Sequence, residues 1–150
     1  MKKLCLFLIF FLPWYIGPFI FPIDLNYYHQ LRFPFFIPDI LYPIVGTSIF
    51  LILAFLSTKI ISTIGYSYSK EYLRSLFFSY CMYQLFFYFF FTMKSIFLGF
   101  TDSMILFISS LILYYETKEI NPSLKHWLIP YLLLTIGSSM YLLVTLFMNL

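Results

Sequence analysis

Residues that could carry out chemistry are few in this chain of 150 residues. The two histidines, His29 and His126, are far apart, and neither has Cys, Asp or Glu at a spacing typical of metal ligands. The two cysteines, Cys5 and Cys81, lie in apolar runs, which favours buried or lipid-facing thiols over a disulfide. There is no glycine-rich phosphate loop and no Ser/His/Asp set. The sequence therefore predicts neither an enzyme nor a metal site.

Polar side chains inside apolar segments are the next candidates, because burying them in hydrocarbon is expensive. Gln84 lies midway along an apolar run, where it predicts either a hydrogen bond between helices or a contact in a pocket. Asp102 lies near the start of another run, where a carboxylate in a first helical turn is favoured by the helix dipole and caps free amides. Small residues allow helices to approach closely, which is the role expected of Ser109, Ser110, Gly137, Ser138 and Ser139.

The composition indicates which solvent surrounds these residues. Hydrophobic residues make up 62% of the chain and charged residues 10%, and the mean hydropathy is +0.91. A water-soluble domain of this size could not hide so much apolar surface, since roughly half of its residues would lie near water. The net charge of +3 is scattered, with no basic block, so no nucleic-acid partner is expected. The partner that the composition predicts is the lipid bilayer.

Five apolar stretches are long enough to cross that bilayer. They lack the alternation of a membrane barrel, and lipid offers no partner for unpaired backbone groups, so we expect an all-α bundle in one domain. The cationic start imitates a signal peptide, but no small-x-small cleavage site follows, and we expect an uncleaved first helix. The predicted spans are about residues 4–23, 40–58, 73–93, 96–115 and 127–148.

The charges predict the orientation of this five-helix integral membrane protein. With the N-terminus inside, seven of the nine cations fall at inner helix ends, and only Arg32 and Lys94 fall at outer ends. That asymmetry is the one expected from the positive-inside bias. An odd number of spans then places the C-terminus outside.

The longest connection, residues 24–39, is aromatic and punctuated by prolines. A flexible tether would be rich in small polar residues, whereas Pro34, Pro38 and the nearby Pro43 restrict the backbone. We expect this segment to lie back on the helix ends as a lid or an interfacial cap.

The residues of this loop resemble the translocator protein family, also called tryptophan-rich sensory proteins (TspO/MBR). The first loop of that family reads roughly WY-x5-P-x-W-x-PP. Here Tyr27-Tyr28 stands at the WY position, Pro34 follows at the family's spacing, Phe36 replaces the Trp, and Pro38 begins the PP pair. The later family motifs also have counterparts in order, namely Phe90-Phe91, Asp102, Pro122 and Pro130-Tyr131.

The main departure from the family is the loss of its tryptophans. Phe86 and Leu134 stand at the Trp positions of the third and fifth helices, and the two tryptophans present, Trp14 and Trp127, lie elsewhere. Light-dependent porphyrin breakdown, attributed to some members, relies on pocket tryptophans, so the resemblance does not imply that activity here.

The resemblance implies a pocket under the first loop that binds porphyrins, sterols or other flat apolar ligands. We expect helices two, three and five to supply its walls, with aromatic faces stacked on the ligand and Gln84 giving a directional polar contact. No cofactor is required, and a porphyrin would be a ligand. The candidate lining residues are Tyr28, Pro34, Phe36, Gln84, Phe86, Phe90 and Ser138.

Two other functions fit the residues. The chain could be a small accessory subunit whose Phe-rich helices pack against a larger membrane partner, or a small transporter, although it shows neither inverted repeats nor many ionisable residues at membrane depth. A homodimer is also open. The expected location is the cell membrane in a bacterium, or the mitochondrial outer membrane in a eukaryote, where the resemblance places it.

Overall fold

The computed structural model describes residues 2–35 and 37–150, and this part of the chain contains helices and no strand. Five helical segments have the length and apolar composition needed to cross a membrane. The predicted all-helical class with five spans is therefore confirmed. We refer to them in chain order as the first to fifth spans: Lys3–Ile20, Leu41–Ile64, Lys70–Thr92, Ile96–Ile120 and Lys125–Met148.

The second and fourth helices continue past the ends expected from the apolar stretches. The second runs to Ile64 and ends at Gly65, whose φ of 81° is left-handed, and the fourth runs to Ile120. Charged residues such as Lys59 and Lys118 limit contact with hydrocarbon, but their long side chains can reach water while the backbone stays helical. The second and fourth helices are therefore longer than the apolar stretches from which they were predicted.

The five spans pack in a ring. The first span contacts the second and the third, the third contacts the fourth, and the fourth contacts the fifth. The start of the fifth span returns to the second, so the order around the bundle is first, second, fifth, fourth, third. We call the end that carries residues 24–39 the loop end, and the other the opposite end.

Prolines break the regular helix in the first span. Its α-helical turns are interrupted at Leu12–Tyr15, which forms a tighter 3₁₀ turn containing Pro13. The break turns Trp14 into the bundle, where it is 2% exposed and stacks on Phe50 with 5.0 Å between ring centroids. The Pro13 carbonyl accepts a hydrogen bond from the Gln84 amide across 3.2 Å. The sequence left two roles open for Gln84, and the structure shows the bond between helices.

Hydroxyl groups join the third, fourth and fifth spans. Ser79 and Ser109 share a hydrogen bond, Ser110 and Thr135 lie 3.0 Å apart, and Ser139 donates to the Ser103 carbonyl across 2.9 Å. The packing role expected of Ser109, Ser110 and Ser139 is thus confirmed.

That role is not seen for two neighbouring residues of the fifth span. Gly137 and Ser138 are exposed, and no atom lies within 4 Å of a Cβ built on Gly137. Each helical residue rotates by about 100°, so one face of the span buries Thr135 and Ser139 while the residues between them turn outward.

A proline in the middle of the fifth helix would bend it or leave an unpaired carbonyl. In the structure a 3₁₀ turn over Lys125–Leu128 precedes the α-helix, and Pro130 occupies the first turn of Ile129–Met148. An amide there has no partner within the helix in any case, so the missing N–H of proline does not break a bond.

We predict that Gly99 is required for the third and fourth spans to pack. A Cβ added there would lie 2.8 Å from the Phe90 ring, so Gly99→Ala should destabilise the fold by about 1–3 kcal/mol through overpacking. Thermal unfolding in detergent would measure this loss as a lower midpoint. Gly137→Ala is the matched control and should leave the midpoint unchanged or raise it, since alanine favours helix. Equal midpoints for both variants would contradict the packing.

Candidate functional site

The aromatic loop contains a short helix that the sequence interpretation did not include. The helix spans Leu25–Gln30, and its N-cap is Asp24, whose Oδ1 accepts the Tyr27 amide across 3.0 Å. Aspartate is a favourable N-cap because its carboxylate satisfies an amide that has no partner in the first turn. The loop therefore presents a fixed surface to the bundle.

One polar attachment joins this helix to the turn between the third and fourth spans. Lys94 Nζ lies 2.8 Å from Asp24 Oδ2, and the Tyr27 hydroxyl donates to the Lys94 carbonyl across 2.9 Å. The Lys94 ammonium holds the pKa of Asp24 below its usual value. The ion pair is therefore complete above the ordinary aspartate pKa and is lost as the pH falls through the lowered pKa.

A second attachment joins the loop to the end of the fifth span. Asn149 Oδ1 accepts the Arg32 amide across 3.0 Å, and Asn149 Nδ2 donates to the Arg32 carbonyl across 2.8 Å. The same Nδ2 donates to the Thr145 carbonyl, so the fifth helix itself orients the Asn149 side chain. We call this pair of bonds to Arg32 the Asn149 latch. Nearby, the Tyr141 hydroxyl donates to the Phe35 carbonyl across 3.1 Å.

Under the loop lies a cluster of aromatic rings, which we call the aromatic floor. Phe86 and Phe90 stack with 5.4 Å between centroids, and Phe87 and Phe91 stack at 6.1 Å. Phe90 and Phe91 lie in a π-helical turn at Tyr88–Thr92, a helix form that is frequent at functional sites. The floor offers flat apolar faces close to the membrane surface.

Tyrosines and Phe33 cover this floor from the loop side. Tyr28 is 8% exposed, its ring lies 4.5 Å from Phe33, and its hydroxyl lies 2.6 Å from that of Tyr42. Burial raises the pKa of Tyr28, so it stays a neutral phenol at ordinary pH. Phe33 stacks in turn on Tyr141 at 5.4 Å. The cover is therefore aromatic and uncharged.

Three of the predicted lining residues meet in this region. Tyr28 belongs to the cover, and Phe86 and Phe90 belong to the floor. Pro34 is half-buried in the same loop. Phe36 lies outside the described residues.

The other two predicted residues have different surroundings. The Gln84 amide group packs against Gly17 and Pro13 of the first span, and its Oε1 is buried with no hydrogen-bond partner in the described part of the chain. Ser138 is exposed on the fifth span, while the adjacent Ser139 faces inward.

Phe33, Tyr42 and Tyr141 also belong to this site, but the sequence did not predict them as members. Phe33 and Tyr141 are 108 positions apart, and only the folded bundle brings them into a stack. The aromatic character of the loop predicted that it covers the helix ends. It did not predict which residues of the helices the loop contacts.

Comparison with models of protein families shows to which family this chain belongs. The model of the TspO/MBR family matches residues 4–147, nearly the whole chain. The chain belongs to the TspO/MBR family. No curated protein sequence matches it closely enough to add a named relative. The resemblance inferred from the loop and the prolines is therefore confirmed.

Asp102 does not have the capping role that was expected of it. The fourth span begins at Ile96 and is capped by Ser95, whose Oγ accepts the Leu98 amide across 3.3 Å. Asp102 therefore falls in the second turn and caps no amide. It is 2% exposed, and neither carboxylate oxygen has a hydrogen-bond partner among residues 2–35 and 37–150. The expectation of a capping carboxylate was wrong, because the helix begins at Ile96, as predicted, and Asp102 is its seventh residue, beyond the first turn.

Two grooves on the bundle surface lie away from the aromatic loop. One, of about 220 Å³, is lined by residues of the third and fourth spans, and the other, of about 300 Å³, by residues of the second and fifth spans. None of the predicted lining residues that the structure describes borders either groove. In this closed arrangement the rings of the aromatic floor are packed against the loop.

We predict that Asn149→Ala releases the loop without unfolding the bundle. The two bonds to Arg32 contribute about 1 kcal/mol each, so their loss should speed hydrogen exchange at the Arg32 amide by roughly ten- to thirtyfold. Met148→Ala, at an exposed neighbouring position, is the control. Hydrogen exchange read by mass spectrometry over residues 25–35 would measure the change. Equal exchange in both variants would show that the latch does not hold the loop.

Proposed function

We propose that this TspO/MBR chain binds a planar hydrophobic ligand between the aromatic loop and the aromatic floor. The observation that carries the proposal is the stack of phenyl faces under a segment attached mainly at its edges. Phe86 and Phe90 already pair face to face, with 10° between ring planes. A flat conjugated ligand would replace ring–ring contacts by ring–ligand contacts of the same kind.

The free energies of opening the loop and of burying the ligand favour such an exchange. Opening the loop breaks the two attachments and the Tyr141 bond, at about 1 kcal/mol for each hydrogen bond. A ligand that buries about 400 Å² of apolar surface gains roughly 10 kcal/mol at ~25 cal/mol per Å². Opening also exposes the rings that Tyr28 and Phe33 cover, and the ligand would have to replace those contacts with its own.

The charges at the rim favour a porphyrin over a sterol. Arg32 and Lys94 lie on opposite sides of the loop, beside the fifth span and the third-to-fourth turn respectively. A porphyrin such as a haem precursor carries carboxylates at the edge of a flat apolar ring, which would meet these cations. A sterol has no such group. We propose a binding role, as sensor, carrier or regulator, and no catalytic step.

Titration with protoporphyrin IX tests this function, followed by porphyrin absorbance and intrinsic fluorescence. Phe86→Ala should weaken binding about tenfold by removing a stacking face. Arg32→Gln should weaken it about two- to fivefold, the scale of one exposed ion pair. Arg74→Gln removes a guanidinium at the opposite end and is the matched control. A flat titration, or equal affinities in wild type, Phe86→Ala and Arg32→Gln, would contradict the proposal.

We also propose that the loop end faces outward and the N-terminus lies inside. The cations near the loop end are Arg32 and Lys94, while those of the opposite end include Lys59, Lys70 and Arg74. This distribution follows the positive-inside bias. The membrane is the cell membrane for a bacterial host and the mitochondrial outer membrane for a eukaryotic one.

Cysteine labelling would test the orientation in a bacterial host. In a background of Cys5→Ser and Cys81→Ser, Asn26→Cys should react with an impermeant maleimide in intact cells. Ser123→Cys, in the connection between the fourth and fifth spans, should react only after permeabilisation. The reverse pattern would invert the topology.

A further inference from the structure

A groove at the opposite end lies between the third and fourth spans. It has a volume of about 220 Å³ and is lined by Arg74, Ser75, Phe78, Ser109 and Ile112. Ser109 is buried at its base, between bulkier neighbours. Phe78 and Ile112 are each 46% exposed, so they border the groove on the surface that faces lipid.

The side chains beside this groove change from apolar to charged along the third span, toward its N-terminal end. The apolar part lies at Phe78, Arg74 stands one turn closer to the end of the span, and Glu71 stands almost one further turn out. The Arg74 guanidinium pairs with the Glu71 carboxylate across 2.9 Å, and their side chains are 75% and 68% exposed. Ser75 donates a hydrogen bond to Glu116 Oε1 across 2.8 Å, so its hydroxyl is already paired within the wall of the groove. Apolar surface, cation and carboxylate thus follow one another toward the membrane surface.

We propose that this groove binds phosphatidylethanolamine, with an acyl chain against Phe78 and Ile112. The phosphate would meet Arg74, and the primary ammonium, which lies beyond the phosphate in the lipid, would donate to Glu71. An exposed ion pair such as Arg74–Glu71 contributes little stability, so a headgroup can insert between its partners at small cost. Phosphatidylglycerol offers no cation to Glu71, and the quaternary ammonium of phosphatidylcholine has no N–H to donate.

This lipid site is independent of the proposed ligand site. It lies at the other end of the bundle and uses none of the loop residues, so either proposal can fail alone. Arg74→Gln and Arg32→Gln form a matched pair, each removing one guanidinium from a different end. The first should change lipid binding only, and the second porphyrin binding only.

Native mass spectrometry of the full chain in detergent tests the proposal. The protein is given equal amounts of phosphatidylethanolamine, phosphatidylglycerol and phosphatidylcholine with identical acyl chains, and the bound lipid is counted. We expect phosphatidylethanolamine to be retained about fivefold over the others, a ratio that corresponds to one exposed ion pair. Arg74→Gln should remove that retention, Glu71→Gln should abolish the preference over phosphatidylcholine, and Arg32→Gln should leave both unchanged.

Three outcomes would overturn the proposal. Equal retention of the three lipids would show that the groove does not recognise a headgroup, and a preference for phosphatidylglycerol would show attraction to cations alone. Retention unchanged in Arg74→Gln would place the lipid elsewhere. Thermal unfolding of each variant without added lipid confirms that it is folded, so a loss of binding can be assigned to the groove.

Discussion

The loop end depends on keeping an apolar aromatic surface away from water at the edge of the membrane. The third span carries its phenyl rings to the end of the helix, where hydrocarbon gives way to water. Tyr28 and Phe33 of the loop cover those rings, and the attachments at Lys94 and Asn149 hold the loop in place. The loop therefore covers the aromatic floor, and in the proposed function a ligand that takes its place would have to be flat and apolar.

Polar bonds inside the bundle are placed where they join helices. The serine and threonine hydroxyls link the third, fourth and fifth spans, and Gln84 supports the proline-broken first span. At the loop end the same kind of bond joins the fifth helix to the loop. In the proposed function the internal hydroxyl bonds would hold the ring of helices together while the loop opens at one end.

The sequence predicted the parts of this structure that depend on composition and spacing. The apolar stretches predicted five spans, and the prolines and aromatic residues of the loop led to the TspO/MBR family. Contacts between distant residues could not be predicted, such as the bond of Asn149 to Arg32 across 117 positions. A shift of one residue exchanges an exposed Ser138 for a buried Ser139, and Ser95 rather than Asp102 caps the fourth helix. Those details depend on helix rotation and helix ends, which hydropathy does not determine.

Locking the loop closed tests directly whether the ligand binds beneath it. The variant carries Arg32→Cys and Asn149→Cys, in a background of Cys5→Ser and Cys81→Ser, and forms a disulfide in place of the latch. Protoporphyrin affinity is then compared in the same protein before and after reduction, so that loss of the Arg32 charge affects both states equally. We expect the oxidised protein to bind protoporphyrin at least about tenfold more weakly than the reduced protein, a difference of roughly 1.4 kcal/mol in binding free energy. Reduction should restore binding. Equal affinity in both states would show that the ligand does not enter beneath the loop.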